Sequence, residues 1–349
     1  MYYRSEELIA FAAGVGRVLG MERKEAQDFS QSLVYADMRG LHSHGLMRMP
    51  TYVERIQRKL IRVGVVPEIT KDGGALLAID GQNGMGACAA QRAMELCVER
   101  AREKGVCVGA VRNCNHFGYS AYFTRYAAEC HMIGFAVSNA FKSVAPFGGA
   151  RPMLGTNPLS ITIPVDGREP FVLDMATSLV AQGKIILARQ KGRHIPMGWG
   201  LDSSGEPTTN PAAVLDGGSL TSFGGAKGYG IALMIELLCV CLANAAKSTE
   251  MGSMYDFTRT QDTGFVLGAI DISHIMEPQD FERSAAQLLT EIKASPKNCQ
   301  VSEIYVPGEL EARQFQEAQQ IGVQLSEPVV QELTMLGKTL QLPFPAAKG

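Results

Sequence analysis

The hydrophobic period of this chain changes twice along its length, and that change constrains the fold more than any other feature. Through residues 5–38 apolar positions recur at helical spacing, in LIAFAAGVGRVL and again in AQDFSQSLVYADM. After Gly40 the pattern resumes in HSHGLMRMPTYVERIQRKL, where Pro50 predicts a kink. From Ala75 short runs of β type take over: ALLAID, VCVGAV, MIGFAVSN, LSITIPV and PFVLDMA, each bounded by Gly, Asn or Pro. Helical patterns stand among them at 88–103, 120–131, 179–191 and 229–246, and helix returns at 279–292 and 309–340. The chain therefore reads as a mixed α/β (α+β) protein, helical at both ends and sheet-forming in the middle. At 349 residues it is long enough for more than one core.

Composition narrows the function classes. Apolar residues make up 46% of the chain and charged residues 19%, so large cores can form. Net charge is −2 and the 33 Lys and Arg are scattered, without the basic stripe that a phosphate backbone requires, so nucleic acid is not expected as a partner. The eight cysteines form no CxxC pair and several lie in apolar runs, where a thiol acts as a small hydrophobe. The longest such run, Gly230 to Ala246, is short for a membrane span and contains Glu236, so it reads as a buried helix and no membrane association is expected. The opening MYYRSEELIAF places two acids where a secretory signal needs an apolar stretch, and the expected location is the cytoplasm.

Two glycine turns invite a phosphate reading. Gly84-Met85-Gly86-Ala87-Cys88-Ala89 follows a strand-like run and precedes a helix, as a dinucleotide fingerprint does. The next strand runs into Arg112-Asn113-Cys114-Asn115 with no acid for a ribose, so the plainer reading is a glycine turn that caps a helix. Gly224-Gly225-Ala226-Lys227-Gly228-Tyr229-Gly230 precedes the most apolar helix, and its bare N–H groups and lysine suit an anion. A flexible loop entering a buried helix is the equal alternative. The polar stretch Asp202–Asp216 reads as a connection or as a loop over a site.

Three of the six histidines have unusual surroundings. In His42-Ser43-His44-Gly45-Leu46-Met47-Arg48, a continuous helix would put His44 and Arg48 on one face. The guanidinium fork of Arg48 suits a carboxylate, and an imidazole nearby can exchange a proton with an adjacent oxygen, which together suit a 2-oxo acid. The plainer alternatives are a capping histidine and an N-cap at Ser43. His116 stands in Asn113-Cys114-Asn115-His116-Phe117-Gly118-Tyr119-Ser120, at the end of a strand, where polar groups commonly face a ligand crevice. No metal site is expected: HExxH is absent and His131, His194 and His274 lack carboxylate or thiolate partners at ligand spacing. Hydrolysis is rejected because no GxSxG exists and adjacent helical side chains such as Ser43 and His44 should diverge.

Long segments carry a more specific signal. ADMRGLHSHGLMRMPTYVERI, VRNCNHFGYSAYF, VAPFGGARPMLGTNPLSITIP, LDMATSLVAQGKI, IPMGWGLDSSGEPTTNP, GGAKGYGIALMIELL and EIYVPGE occur in one order over nearly the whole chain. Together they resemble the malate/L-lactate dehydrogenase family, also described as L-sulfolactate dehydrogenase-like. The resemblance implies a fold that is not a Rossmann fold. It has a helical domain over 1–72, joined by the C-terminal helices of 309–349. A central NAD(P)-binding and substrate region over 73–308 is built on a large, mostly antiparallel sheet, in a homodimer.

By the same resemblance His44 is the proton donor, Ser43 its relay partner and Arg48 the ligand of the substrate carboxylate. His116 matches a position that is catalytic in the ureidoglycolate branch, and Thr156 a substrate contact. The cofactor contacts fall at Phe117, Gly118 and Ser120, at Asp174, Met175 and Ala176, at Lys227 and Gly228, and at Gly308 and Glu309. The implied cofactor is NAD or NADP, with NAD favoured. Lys184 departs from the aspartate that imino acid reductases carry there. The expected activity is thus hydride transfer to or from C2 of a small 2-hydroxy or 2-oxo acid. Cyclic imino acid reduction and an inactive cofactor-binding sensor are the alternatives. A helix N-terminus at His44 would bring its titration near neutral pH.

Overall fold

The computed structural model describes residues 1–348. Three helices open the chain: α1 Ser5–Val18, α2 Arg23–Met38 and α3 Met49–Gln57. Reciprocal capping by Glu22 and Glu25 starts α2. The expected kinked helix after Gly40 does not form. Two single 3₁₀ turns, His42–His44 and Leu46–Arg48, are separated by Gly45 in an extended conformation. Pro50 does not kink a helix but sits in the first turn of α3, where its missing N–H costs nothing. The terminal helices α10 Glu309–Ile321 and α11 Glu327–Thr339 return to this layer, and Tyr2–Tyr3 pairs antiparallel with Val323–Gln324. Leu8, Phe11, Phe29, Leu33, Leu46, Met49, Val323 and Leu333 share one buried cluster, which joins the two ends of the sequence.

Seven strands form the central sheet: β1 Glu68–Asp72, β2 Leu76–Asp80, β3 Val106–Cys114, β4 Met132–Ser138, β5 Leu159–Ile163, β6 Phe171–Met175 and β7 Thr263–Asp271. Their order is β1-β2-β3-β7-β4-β5-β6, and only the β2–β3 pair is parallel. The sheet is therefore mostly antiparallel, as the resemblance implied. The parallel pair is joined by α4 Gly86–Lys104, since parallel strands need a crossover. With α5 Ser120–Glu129, α4 covers one face over Leu77, Ile79, Met94, Phe123, Phe265 and Leu267. A smaller cluster, including Val144, Leu154, Ile185, Val214 and Ala232, gathers α6 Gln182–Gln190, α7 Pro211–Leu215 and α8 Ala226–Leu237. The 202–216 stretch supplies one strand of a three-stranded sheet and α7, so it is a folded element and not a bare connection. Helix α9 Pro278–Ala294 lies between β7 and α10 in the chain.

The apolar segment 230–246 differs from its expectation as a buried helix. Within the chain α8 buries only Gly228, Ala232, Ile235 and Glu236, and the π-helical turn that continues it at Leu238–Leu242 buries only Cys239. Met234, Leu237 and Leu242 are exposed. Apolar composition here marks a face that the chain itself does not cover. Among the described residues no helix is long and apolar enough to cross a membrane.

Candidate active site

The turn between α2 and α3 is shaped by a buried acid. Asp37 is 4% exposed and its carboxylate accepts the Leu46 N–H at 2.7 Å and faces His42 Nδ1 at 2.8 Å. A Cβ on Gly45 would lie 2.2 Å from the Asp37 carboxyl carbon, so only glycine lets the chain pass. This packing breaks the helix that the sequence pattern suggested. His44 and Arg48 still converge, by a different route: Arg48 Nε donates to the Ser43 carbonyl oxygen at 2.6 Å. Ser43 Oγ lies 2.9 Å from His44 Nδ1. Adjacent side chains diverge on an α-helix, but in this 3₁₀ turn those of Ser43 and His44 meet.

The His44 ring stacks on His116, with centroids 5.7 Å apart and planes 24° from parallel. Tyr52, one turn beyond Arg48 on α3, places its hydroxyl 2.7 Å from His116 Nδ1. Arg48 Nη1 reaches Met254 Sδ at 3.4 Å and the Tyr255 hydroxyl. Burial, and then the Arg48 charge, pushes the His44 imidazole down to about 4. His116 is held well below the usual histidine range by burial, then by His44 and Arg48. The expected cause, a helix N-terminus, is not present. Both rings are neutral at pH 7, which corrects the expectation of a titration near neutrality.

His116 owes its place to the loop after β3. Asn83 N–H donates to the Asn113 carbonyl at 2.8 Å, and Asn115 Nδ2 donates to the Gly84 carbonyl at 2.9 Å. A Cβ on Gly86 would stand 2.1 Å from the Asn115 carbonyl oxygen and 2.4 Å from that of His116. The room that a Rossmann turn keeps for a pyrophosphate is filled here by protein backbone. The fingerprint is a packing motif.

The other predicted positions divide between a cleft and the core. Asp174, near the end of β6, accepts the Ala121 N–H at 2.7 Å, and burial pushes its carboxyl up to about 7. It opens on a cavity of ≈ 340 Å³ with Leu41, Tyr119, Val172, Gly308 and Glu311 in its wall. Gly308 takes φ 87° at the start of α10, where a Cβ would meet Val172 at 2.7 Å. Met175 and Ala176 follow, half-buried, and Thr156 offers its carbonyl to the Thr177 N–H at 2.8 Å.

Phe117 turns its ring into the core, stacked at 5.0 Å on Phe265, which leaves its backbone as the part that can face a ligand. Gly118 (φ 86°) has open space where a Cβ would be, and Ser120 is buried at the start of α5. The Glu309 carboxylate is held by Lys293 at 2.6 Å and Arg313 at 3.1 Å, so its side chain is committed within the chain. Lys227 is exposed at the start of α8, and Gly228 packs against the Phe223 carbonyl.

Comparison with known proteins identifies the family. The family model described as malate/L-lactate dehydrogenase matches residues 3–334. The chain belongs to this family. It is 34% identical over 340 residues to a malate dehydrogenase of Pyrococcus abyssi, covering 95% of this chain and 93% of that one. It is 31% identical over 318 residues to a Δ1-pyrroline-2-carboxylate/Δ1-piperideine-2-carboxylate reductase of Pseudomonas putida, covering 91% of each. The structure of sulfolactate dehydrogenase from Methanocaldococcus jannaschii superposes with a TM-score of 0.92 at 34% identity, covering 99% of this chain and 98% of that one.

Membership in this family of hydroxy acid dehydrogenases implies a nicotinamide cofactor, and the cleft beside Asp174 fits one end of it. Apolar walls at Leu41, Val172 and Leu310 suit a base, and the Asp174 carboxylate suits a ribose diol. Lys184 stands exposed on α6 and, among the described residues, makes no side-chain hydrogen bond with Ser43 or His44. Sequence reasoning missed Asp37, Tyr52 and the Met254–Tyr255 loop. Tyr52 carried a signal, four residues past Arg48 in a helical pattern. The other contacts are made by tertiary packing, and nothing in their local sequence announces them.

Proposed function

We propose that this dehydrogenase moves a hydride between a nicotinamide cofactor and C2 of a small 2-hydroxy or 2-oxo acid, with His44 exchanging the hydroxyl proton and Arg48 holding the carboxylate. The observation that carries this reading is the bond between Ser43 Oγ and His44 Nδ1. It leaves Nε2 of a neutral ring free beside a guanidinium anchored to the same turn.

Asp174, the 117–121 turn, Gly308 and Lys227 would hold the cofactor, which when bound would supply or accept the hydride. Neutral His44 takes the proton of the 2-hydroxyl in the oxidative direction and returns it in the reductive one, with Ser43 as the link to bulk water. Arg48 fixes which face of the substrate lies against His44. A carboxylate bound there offsets the Arg48 charge and raises the His44 pKa in the complex. Oxidative kcat/KM is therefore expected to stay level from neutral pH to about 5 and to fall toward about 4 as His44 is protonated, while reductive kcat/KM falls as pH rises above about 4. An inflection near the ordinary imidazole value in the oxidative profile would contradict it.

Reduced-nicotinamide absorbance with a panel of 2-oxo acids and cyclic imino acids tests the reading. His44→Asn should lower turnover on the order of 10²–10⁴-fold with cofactor affinity preserved. Wild-type turnover in that variant would remove His44 from the role. Arg48→Lys should raise KM, since a point charge does not replace a fork; an unchanged KM would defeat the clamp. Turnover of cyclic imino acids alone would favour the reductase reading that the Pseudomonas putida relative suggests, against which Lys184 speaks. Cofactor binding with no turnover on any substrate would favour a sensor.

Two further expectations belong to this proposal. Among the described residues the cleft beside Asp174 is lined by two acids, Asp174 and Glu311, and by no Lys or Arg, which favours NAD over the 2′-phosphate of NADP. Titrations of NADH and NADPH would compare them. The exposed apolar side chains of α8 support a homodimer, and light scattering that finds a monomer at micromolar concentration would oppose it.

A further inference from the structure

We infer that Tyr255 is a substrate-binding residue whose hydroxyl shares with Arg48 the carboxylate next to the reacting carbon. This rests on the reading of Arg48 as the carboxylate clamp. The Arg48 fork is only partly available: Nε is committed to the Ser43 carbonyl at 2.6 Å, and Nη1 faces Met254 Sδ at 3.4 Å and the Tyr255 hydroxyl. A carboxylate must approach the Nη1–Nη2 edge, and Tyr255 already stands there. A phenol that accepts from a guanidinium keeps its own proton, polarised toward donation. Among the described residues that proton has no acceptor. The Tyr255 hydroxyl and Arg48 Nη2, which has no partner among the described residues, thus make a pair of donors that lacks an acceptor, and a planar anion supplies it.

The position of Tyr255 belongs to the fold, although the side chain is 59% exposed. Its loop is pinned from below by Arg55, which lies on α3 beyond Arg48 and Tyr52 and is 0% exposed. The Arg55 guanidinium donates to the carbonyls of Asp256 at 2.7 Å and Arg259 at 3.0 Å. Asp256 in turn accepts the Thr258 N–H at 3.0 Å and faces Arg259 Nε at 3.1 Å. A fully buried guanidinium is costly to desolvate, and here its hydrogen bonds go to the carbonyls of the loop that presents Tyr255. One helical segment therefore carries the clamp and, two turns later, the anchor of the residue that completes it.

Tyr255→Phe keeps the ring, whose centroid lies 5.8 Å from the Arg48 guanidinium carbon, and removes the hydroxyl alone. Because the side chain is exposed, the variant should fold as wild type. KM for the 2-oxo acid is expected to rise about tenfold with kcat within about twofold, the signature of lost ground-state binding. Oxamate, titrated calorimetrically into wild type and variant with NADH present, should lose affinity by the same factor while NADH affinity holds. Arg48→Lys and Tyr255→Phe should combine less than additively, since they share one anion. Unchanged KM and oxamate affinity, or a fall in kcat alone, would overturn the assignment. A wild type that binds oxamate through Tyr255 yet reduces no 2-oxo acid would sink the dehydrogenase reading and leave this one standing.

Discussion

Two glycine turns in this molecule precede helices, and they do opposite things with the space that glycine leaves. At Gly84–Gly86 the absent side chains are replaced by protein: the backbone of Asn115 and His116 lies against Gly86, and Val65 and the Gly81 carbonyl lie against Gly84. At Gly224–Gly230 the turn is partly open: no atom of the described residues lies within 4 Å of where a Cβ on Gly224 or Gly230 would be, and Lys227 is exposed. The first turn matches a dinucleotide fingerprint and holds a loop. The second matches none and, among the described residues, leaves Lys227 and the first N–H groups of α8 without a hydrogen-bond partner. A glycine pattern announces close approach; which body approaches is decided by the tertiary neighbours.

The largest expected effect lies in the closed turn. Gly86→Ala would drive a methyl into the Asn115 and His116 carbonyls and shift the loop that presents His116 to His44. Overpacking against backbone should cost about 3 kcal/mol or more, read as a lower midpoint in chemical denaturation. A stable Gly86→Ala protein whose only defect is weak NADH binding would reverse the comparison and restore the fingerprint. In the open turn the effect should move from stability to binding. Lys227→Ala is expected to weaken NADH binding about tenfold, roughly 1.4 kcal/mol, with the denaturation midpoint unchanged. Equal NADH affinity would take the phosphate role away from this turn.

The same contrast explains what the sequence could disclose. The period change at Ala75 marked the sheet, and the helical ends were legible because amphipathic spacing reports a buried stripe. His44 and Arg48 stood out by their spacing and His116 by its place at the end of a strand, and the long family segments gave them proposed roles. Gly45 was not: its extended backbone follows from the Asp37 carboxylate eight residues earlier, a contact without periodicity. The exposed face of α8 was hidden for a different reason, because an apolar helix reads the same whether its own chain or another one covers it. Tyr255 lies far from Arg48 in sequence and meets it only through the Arg55 anchor, so no local window contains the pair.

The smallest effect tests the openness of the second turn most directly. Gly224 has φ 57°, a left-handed conformation, with no atom in the way of a side chain. Alanine there carries the backbone penalty alone, about 1 kcal/mol, whereas asparagine, which tolerates that region, should cost less. Neither should change NADH affinity more than about twofold, because the N–H groups and Lys227 keep their places. If Gly224→Asn instead destabilises the protein as much as Gly86→Ala, then something fills the space, and a second copy of the chain against the exposed α8 face is the body with reason to be there. Denaturation midpoints measured across a range of protein concentrations would separate the two cases, since only a contact between copies makes that loss depend on concentration.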